Sequence, residues 1–169
     1  YNPENELYGQ PKVKYTYDPA KAKALLAEAG YSPEKPAKVK VMISTSGSGQ
    51  MLPIPMNELI QQNLKEVGFD IEFETVDWGT MLVAARNLPT ASMSKGSHAM
   101  NFSSGFTDPI TLFRFFHTGA IPPNGNNWDL FNDKRVDELL NKAYATFDEE
   151  ARQQLLAKVH EVVVEEAAW

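Results

Sequence analysis

Few residues of this sequence have the type and spacing that enzyme or metal chemistry requires. The three histidines, His98, His117 and His160, stand far apart and form no His-Glu-x-x-His or comparable ligand spacing, so they do not predict a zinc site. No Gly-x-Ser-x-Gly turn occurs, and the absence of cysteine excludes thiolate nucleophiles and thiolate metal ligands. The sequence therefore predicts no catalytic residue, no metal site and no bound cofactor.

A loop rich in glycine and serine is the first candidate for ligand binding. It spans residues 44–49, between a predicted strand and a predicted helix, where backbone N–H groups often hold anions. It lacks the third glycine of the dinucleotide fingerprint and the lysine of a P-loop. Two interpretations stay open: glycine and serine allow a tight turn here, or Ser46 and Gly47 face a ligand at the carboxyl end of a strand.

Aromatic residues concentrated in residues 102–131 form the second candidate. Phe102 lies at a predicted strand end and Trp128 in a loop, a placement typical of the apolar wall of a small-molecule cleft. The neutral neighbours that complete the predicted ligand contacts are Ser103, Ser104, Gly105 and Asn127. Trp78, directly after another strand, is expected either to stack on a ligand or to plug the core. Packing of a helix against a sheet is the favoured interpretation for three phenylalanines, Phe113, Phe115 and Phe116.

Composition and charge exclude several classes of protein. The chain has 169 residues, of which 43% are hydrophobic and 22% charged, and its formal charge is −6; this is typical of a soluble globular domain. No basic run offers a face for phosphates, so nucleic acid is not an expected partner. No stretch reaches the roughly 18 consecutive apolar residues of a membrane span. The absence of cysteine does not choose between cytoplasm and periplasm.

The first half of the chain predicts alternating helices and strands. Asp18 and Pro19 begin a helix, since aspartate caps helix N-termini and proline suits the first turn. The apolar residues of this helix, at helical spacing, are Ala22, Leu25, Leu26 and Ala29. Residues 39–43 and 69–76 alternate apolar and polar side chains as strands do, and a helix that ends at Gly68 connects them. The apolar face of that helix comprises Met56, Leu59, Ile60, Leu64 and Val67. This order predicts a parallel, right-handed crossover and an α/β fold.

The second half predicts shorter elements followed by two clear helices. A helix capped by Asp77, a strand over about residues 98–103, and a short helix that begins at Asp108 and Pro109 and closes at Gly119 follow in turn. The last two helices show regular apolar spacing. Their apolar residues are Val136, Leu139, Leu140, Ala143, Tyr144, Phe147, Leu155, Leu156, Val159, Val162 and Val163.

The ends of the sequence predict a piece of a larger protein. The last helix has no stop signal before Trp169, and three strands are few for so many helices. Residues 1–17 show no usable period and are interpreted as an extended lead-in. Residues 18–169 are expected to form one α/β unit whose remaining strands come from outside this chain.

Several motifs carry a resemblance to a known family. They are Tyr-Asp-Pro-Ala-Lys-Ala-Lys-Ala-Leu-Leu-Ala-Glu-Ala-Gly at residues 17–30, Ile-Gln-Gln-Asn-Leu-Lys-Glu-Val-Gly-Phe at residues 60–69, Asp77 with Trp78, Asp108 with Pro109, and residues 127–140. Together they resemble the family 5 extracytoplasmic solute-binding proteins of ABC importers, the peptide, dipeptide and nickel class. The resemblance implies a class II periplasmic-binding-protein-like lobe, with a mixed sheet flanked by helices. On this basis residues 18–169 are part of the C-terminal lobe, and the N-terminal lobe is absent from the chain.

The resemblance also implies a function without chemistry. Such a protein closes two lobes on a peptide or other small solute outside the inner membrane and delivers it to the transmembrane subunits of an ABC permease. The implied location is periplasmic, and the chain itself does not span the membrane; whether the full-length protein has a membrane anchor is left open.

Two positions depart from the family pattern. Members commonly have Trp near the end of the strand before Asp-Pro, and peptide binders often place Asp a few residues later, where this sequence has Phe102 and Gly105. Without an acidic partner, a buried ligand cation loses its compensation. The departure therefore predicts a neutral or differently charged solute. Asp108, beside Pro109, is expected to cap the helix instead of replacing the missing acid.

Two functions from other classes stay open. One is an α/β enzyme domain that holds a phosphate or a nucleotide with the loop 44–49. The other is a ligand-sensing domain of a receptor or regulator built on the same scaffold. A membrane helix or DNA-binding helices in the full-length sequence would select the sensing domain.

Overall fold

A computed structural model describes residues 4–103 and 109–168 of the chain. The chain folds as two compact units. The sheet unit is Thr16–Gly105, and the helical unit combines Tyr1–Tyr15 with Phe106–Trp169. The helical unit is thus assembled from two separate segments of the sequence.

The sheet unit alternates strands and helices, as the sequence predicts. Its strands are β1 (Ala37–Ser44), β2 (Phe69–Val76) and β3 (Ala99–Asn101), and its helices are α1 (Pro19–Glu28), α2 (Pro53–Val67) and α3 (Trp78–Ala85). The strand order is β2-β1-β3, and both pairings are parallel. The predicted parallel connection from β1 through α2 to β2 is therefore present.

The third strand is shorter than the predicted one over residues 98–103. Only Ala99–Asn101 pairs with β1. The N–H of His98 still donates to the carbonyl oxygen of Lys40 at 2.8 Å, and Nδ1 of His98 accepts the N–H of Lys40 at 2.9 Å. The imidazole thus takes the place of the backbone carbonyl that a longer strand would supply.

Local signals set the helix ends of the sheet unit. Asp18 caps α1 by accepting the N–H of Lys21 at 2.9 Å, and Asp77 caps α3 by accepting the N–H of Thr80 at 3.0 Å. Gly68 ends α2 with a φ of 117°, a backbone conformation that favours glycine. These three helix ends lie where the sequence predicts them.

The periodicity of α1 and α2 predicts their helical structure but not their burial. No residue of α1 is buried, and Leu25 is 53% exposed. In α2 the buried positions are Pro53 and Asn57, whereas Leu59 is 58% exposed. An apolar face is buried only where another element lies against it, and spacing along one helix does not contain that information. One buried cluster of the sheet unit comprises Met42, Val76, Met81 and Ala84.

The helical unit packs three helices around one hydrophobic core. They are α4 (Leu112–Phe116), α5 (Lys134–Ala145) and α6 (Glu149–Glu165). The first of them ends before the predicted Gly119, because a 3-10 turn over Thr118–Ala120 follows it. Phe115 and Phe116 pack in this core, against helices instead of the sheet that the sequence suggested. The buried members of the core are Leu7, Phe115, Phe116, Val136, Leu140, Ala143, Leu156, Val159 and Val163.

Two residues predicted on the buried face of α5 are exposed. Tyr144 is 73% exposed and Phe147 is 99% exposed. Since α5 ends at Ala145 and α6 begins at Glu149, Phe147 lies in the connecting turn, outside the helical repeat. The buried face of α5 is the narrower stripe of Val136, Leu140 and Ala143.

The N-terminal segment, predicted as an extended lead-in, lies along α6. It includes a 3-10 turn at Glu6–Tyr8. The N–H groups of Gln10 and Lys12 donate to the Oε1 atoms of Glu161 and Glu165 at 2.6 and 2.8 Å. Two residues of extended chain and four residues of helix both advance by about 6–7 Å. The two carboxylates therefore meet alternate backbone groups of the segment.

The helices of the described chain are short or polar. The longest helix, α6, has 17 residues and carries several charged side chains. In residues 4–103 and 109–168, no helix combines the length and the apolar character that crossing a bilayer requires.

We expect Leu140→Ala to lower the free energy of unfolding by about 2–5 kcal/mol, because it leaves a cavity in the core. Leu140 has no exposed surface, whereas Phe147 is almost fully exposed. Phe147→Ala is the matched control, with an expected change within about 0.5 kcal/mol. Urea unfolding measures both changes, and equal losses would contradict the observed burial.

A second prediction concerns the pH dependence of the stability of the helical unit. Burial lowers the pKa of His160, although Nδ1 of its ring lies 2.9 Å from the carbonyl oxygen of Tyr8. The unfolded chain, whose histidine has an ordinary pKa near 6.5, takes up a proton at a higher pH than the folded chain. Stability is therefore retained above the unfolded pKa and lost as the pH falls below it.

We expect the free energy of unfolding to fall between about pH 7.5 and pH 5.5, and to fall less in His160→Gln. Urea unfolding of both proteins at the two pH values checks this. If the substitution leaves the pH dependence unchanged, the dependence belongs to other groups.

Candidate functional site

The carboxyl ends of the three strands meet at one edge of the sheet unit. Residues 45–52 follow β1, residues 77–80 follow β2, and residues 102–103 follow β3. Because both strand pairings are parallel, these segments leave the sheet at the same edge. We call these three segments the strand-tip surface. The predicted ligand contacts that it brings together are Ser46, Gly47, Trp78, Phe102 and Ser103.

Glycines let the loop after β1 pack closely against its neighbours. A Cβ atom on Gly49 would lie 2.5 Å from the carbonyl oxygen of Ser103, and one on Gly47 would lie 3.0 Å from Cγ of Trp78. Both glycines have positive φ, 76° and 78°, which other residues rarely adopt. The N–H of Ser103 donates to the carbonyl oxygen of Ser48 at 2.8 Å. The close packing supports the tight-turn interpretation of this loop.

Two aromatic rings form the apolar part of the strand-tip surface. The ring centroids of Trp78 and Phe102 lie 5.9 Å apart, and the rings are tilted by 59°. Both side chains are half-buried and pack against the core of the sheet unit. Each ring therefore has one part in the core and another part exposed. The contact with the core agrees with the plug interpretation of Trp78, and stacking on a ligand stays a prediction.

Ser46 and Ser103 are both exposed on this surface. The hydroxyl of Ser44, at the end of β1, donates to the carbonyl oxygen of Ser46 at 2.6 Å. This bond shapes the start of the loop without using the Ser46 side chain. The strand-tip surface thus presents exposed serines in addition to the two rings.

A chain of hydrogen-bonded carboxamides, which the sequence interpretation missed, lies at the same edge. Nε2 of Gln50 donates to Oδ1 of Asn101 at 3.1 Å, and Nδ2 of Asn101 donates to Oδ1 of Asn57 at 2.6 Å. Nδ2 of Asn57 donates to the carbonyl oxygen of Pro53 at 2.7 Å, and Oγ of Ser48 donates to Oε1 of Gln50 at 3.3 Å. We call this set the amide chain. One sequence signal was available: Asn57 falls at helical spacing among the apolar residues of α2, and a buried asparagine needs polar partners.

Asp77 is the one ionisable residue of the strand-tip surface. Its Oδ1 accepts the N–H of Thr80 at 3.0 Å, and its Oδ2 accepts the Thr80 hydroxyl at 2.5 Å. Both bonds lower the pKa of Asp77 because they favour its charged form, and the bond from the Thr80 hydroxyl has the largest effect. The carboxylate is thus engaged at the N-terminus of α3, and the rest of the surface is neutral.

Asn127 and Trp128 belong to the helical unit instead. Asn127 is buried; its Nδ2 donates to the carbonyl oxygens of His117 and Phe131 at 3.1 and 2.8 Å, and its Oδ1 accepts the N–H of Phe131 at 2.9 Å. These bonds hold the surrounding loop together, and a ligand contact of Asn127 stays a prediction of the sequence. Trp128 is half-buried, and its ring lies edge-on to Phe115 with centroids 6.0 Å apart.

The remaining predicted contacts, Ser104 and Gly105, lie outside the described residues. Asp108, predicted to cap the following helix, lies outside them as well. These positions stay predictions of the sequence alone.

The three histidines lie in separate surroundings. Nδ1 of each ring faces a different backbone group, at 2.9 Å in every case, for His98, His117 and His160. Within the part of the chain that the structure describes, no three metal-ligating side chains are grouped.

Comparison with known families identifies the chain. Residues 1–127 match the family described as bacterial extracellular solute-binding proteins, family 5 Middle. This is about three quarters of the sequence. The chain belongs to this family. The resemblance carried by the motifs is thereby confirmed.

One curated protein is similar in sequence, and two solved structures are similar in fold. Di/tripeptide-binding protein 2 of Pseudomonas aeruginosa (strain UCBPP-PA14) is 28% identical over 158 residues, which cover 92% of this chain and 28% of that protein. The dipeptide-binding protein of Pseudoalteromonas sp. SM9913 in complex with Met-Leu has a TM-score of 0.78 at 22% identity, covering 98% of this chain and 32% of that one. NikZ from Campylobacter jejuni in complex with Ni(L-His) has a TM-score of 0.71 at 21% identity, covering 92% and 32%.

These matches confirm the α/β fold of a periplasmic-binding-protein-like lobe. The chain spans 28% of the length of the curated relative. The resemblance implied a mixed sheet. Among the described residues, the sheet has two strand pairings, and both are parallel.

We expect Gly49→Ala to destabilise the protein by about 1–3 kcal/mol more than Gly96→Ala does. Gly96 is the matched control because its φ is 70° and a Cβ atom there would meet nothing within 4 Å. Gly96→Ala therefore carries the backbone cost alone, whereas Gly49→Ala adds the contact with Ser103. Urea unfolding measures the difference, and equal losses would show that this contact does not limit stability.

Proposed function

We propose that the full-length protein containing this chain is the solute-binding component of an ABC import system. In this role it captures a peptide or another small solute in the periplasm and delivers it to the transmembrane subunits of the permease. The observation that carries the proposal is the strand-tip surface, in a chain of family 5. Two half-exposed rings and several neutral hydrogen-bonding groups at the carboxyl edge of a parallel sheet have the chemistry of a small-molecule site.

The described surface is proposed to be one wall of the solute site. Residues 18–169 would then belong to the C-terminal solute-binding lobe, and residues 1–17 would lead into it. The N-terminal lobe would supply the opposite wall, since closing two lobes buries most of a small ligand's surface. Ser104 and Gly105 are proposed as further ligand contacts on the basis of the sequence alone.

The class of solute is proposed from the surface and from the relatives. The curated relative is named for di- and tripeptides, and the two solved structures hold a dipeptide and Ni(L-His). The strand-tip surface offers no unengaged carboxylate to balance a ligand cation, and a buried unpaired charge is costly. A solute that presents a neutral group to this wall fits best.

Binding without catalysis is part of the proposal. The strand-tip surface holds no histidine, lysine or arginine. Its one carboxylate, Asp77, caps α3 and has a lowered pKa, so it is a weak base and a poor activator of a hydroxyl nucleophile. The same composition weighs against an enzyme that holds a phosphate with this loop, because a phosphate site usually includes a basic partner. A ligand-sensing domain would use the same surface and differs only in what the full-length sequence attaches to it.

The proposal is tested by titrating the full-length protein with dialanine, N-acetyl-dialanine amide, maltose and Ni(II) with L-histidine. We expect saturable binding of at least one probe and no turnover of it. Trp78→Ala should weaken that binding about tenfold or more, because a half-buried ring contributes a large contact area. Tyr17→Ala, at a ring that is 90% exposed in the same unit, is the matched control and should leave affinity unchanged.

Isothermal titration calorimetry measures these affinities, and magnesium ATP serves as the opposing probe. Saturable binding of ATP with none of the four solutes bound would favour the enzyme. No saturable binding of any of the four solutes contradicts the proposed function.

A further inference from the structure

The amide chain has only one self-consistent orientation. The carbonyl oxygen of Pro53 can only accept a hydrogen bond, so Nδ2 of Asn57 must face it. Oδ1 of Asn57 then faces Asn101, whose Nδ2 must donate. The same step repeats at Gln50, whose Nε2 donates to Oδ1 of Asn101. One backbone carbonyl therefore sets the direction of three side-chain amides.

The inner members of the amide chain are held by the fold. Asn57 lies in α2 and is 2% exposed, and Asn101 is the half-buried last residue of β3. If either amide flipped, donors would face donors and acceptors would face acceptors, and the buried polar atoms of Asn57 would lose a partner. The two asparagines thus present a fixed acceptor to Gln50.

Gln50 is the end of the amide chain that reaches the strand-tip surface. It is half-exposed; its Oε1 accepts the hydroxyl of Ser48 at 3.3 Å while its Nε2 donates to Asn101 at 3.1 Å. A carboxamide carries two N–H donors and two acceptor lone pairs. One N–H on Nε2 and one lone pair on Oε1 therefore remain, on the two polar atoms of one planar group whose orientation the amide chain sets.

We propose that Gln50 is a specificity-determining residue that recognises an uncharged group of the solute in which a donor and an acceptor lie side by side. A peptide amide and a pair of sugar hydroxyls both have this chemistry. Asn101 and Asn57 are positioning residues that act through Gln50. The inference rests on the proposed solute-binding function, and it agrees with the neutral surroundings, since the carboxylate of Asp77 is engaged by Thr80.

The experiment compares affinities of the full-length protein for the four solutes named above. Gln50→Met keeps the length of the side chain and removes both polar ends. It should weaken binding of a neutral probe, N-acetyl-dialanine amide or maltose, about tenfold. Gln62→Met is the matched control on the exposed side of α2 and should change affinity less than about twofold. Binding of the blocked dipeptide identifies a peptide amide as the recognised group, and binding of maltose identifies hydroxyls.

A double-mutant cycle separates positioning from a merely structural effect. Asn57→Leu should weaken binding of the same probe in the wild-type background. In the Gln50→Met background it should cause no further loss of affinity, because its effect passes through Gln50. Urea unfolding measured on the same variants reports any loss of stability separately. Equal losses of affinity in both backgrounds would overturn the positioning role.

The remaining outcomes distinguish this inference from the function on which it rests. Unchanged affinity in Gln50→Met, while Trp78→Ala still weakens binding, overturns the inference and leaves the proposed function standing. Binding of dialanine or nickel–histidine alone, without dependence on Gln50, does the same. If none of the four solutes binds, the proposed function fails and the inference fails with it.

Discussion

Parallel pairing of β1 with both of its neighbours is the constraint on which the rest of the sheet unit depends. Parallel strands need crossover connections, which α2 and the segment through α3 supply, and they place all three carboxyl ends at one edge. An antiparallel β3 would carry Phe102 to the opposite edge, away from Trp78. The rings, the hydroxyls and the amide chain lie at one edge of the sheet because the three strands run in the same direction.

Close approach of backbones then decides the detail of that surface. The loop after β1 lies against the end of β3 so tightly that Gly49 has no room for a side chain beside Ser103. The hydrogen bond from Ser103 to Ser48 joins the two segments, and the amide chain joins them again through Gln50 and Asn101. The strand tips therefore form one connected surface.

The ion pairs of the sheet unit lie on the face of the sheet, away from the strand-tip surface. Lys40 Nζ and Lys95 Nζ each lie 2.9 Å from a carboxylate oxygen of Glu74. The hydrogen bonds from Lys95 and Lys40 lower the pKa of Glu74. At the strand tips the carboxylate of Asp77 instead serves helix α3. The surface proposed to bind the solute is therefore made of rings, hydroxyls and amides, which suit neutral contacts better than ion pairs.

The sequence by itself determined the family, the strands β1 and β2 and the positions of most helices, because caps, terminators and alternation act within a few residues. Asp18 and Asp77 begin helices and Gly68 ends one through bonds to neighbouring residues, independently of the tertiary contacts. Only the tertiary structure decided burial and pairing: Leu25 and Phe147 are exposed on faces predicted to be apolar, whereas Asn57 is buried against Asn101, 44 residues away. The physical reason is that burial and hydrogen-bond partners depend on which distant segments come into contact, and a local sequence pattern does not contain that information.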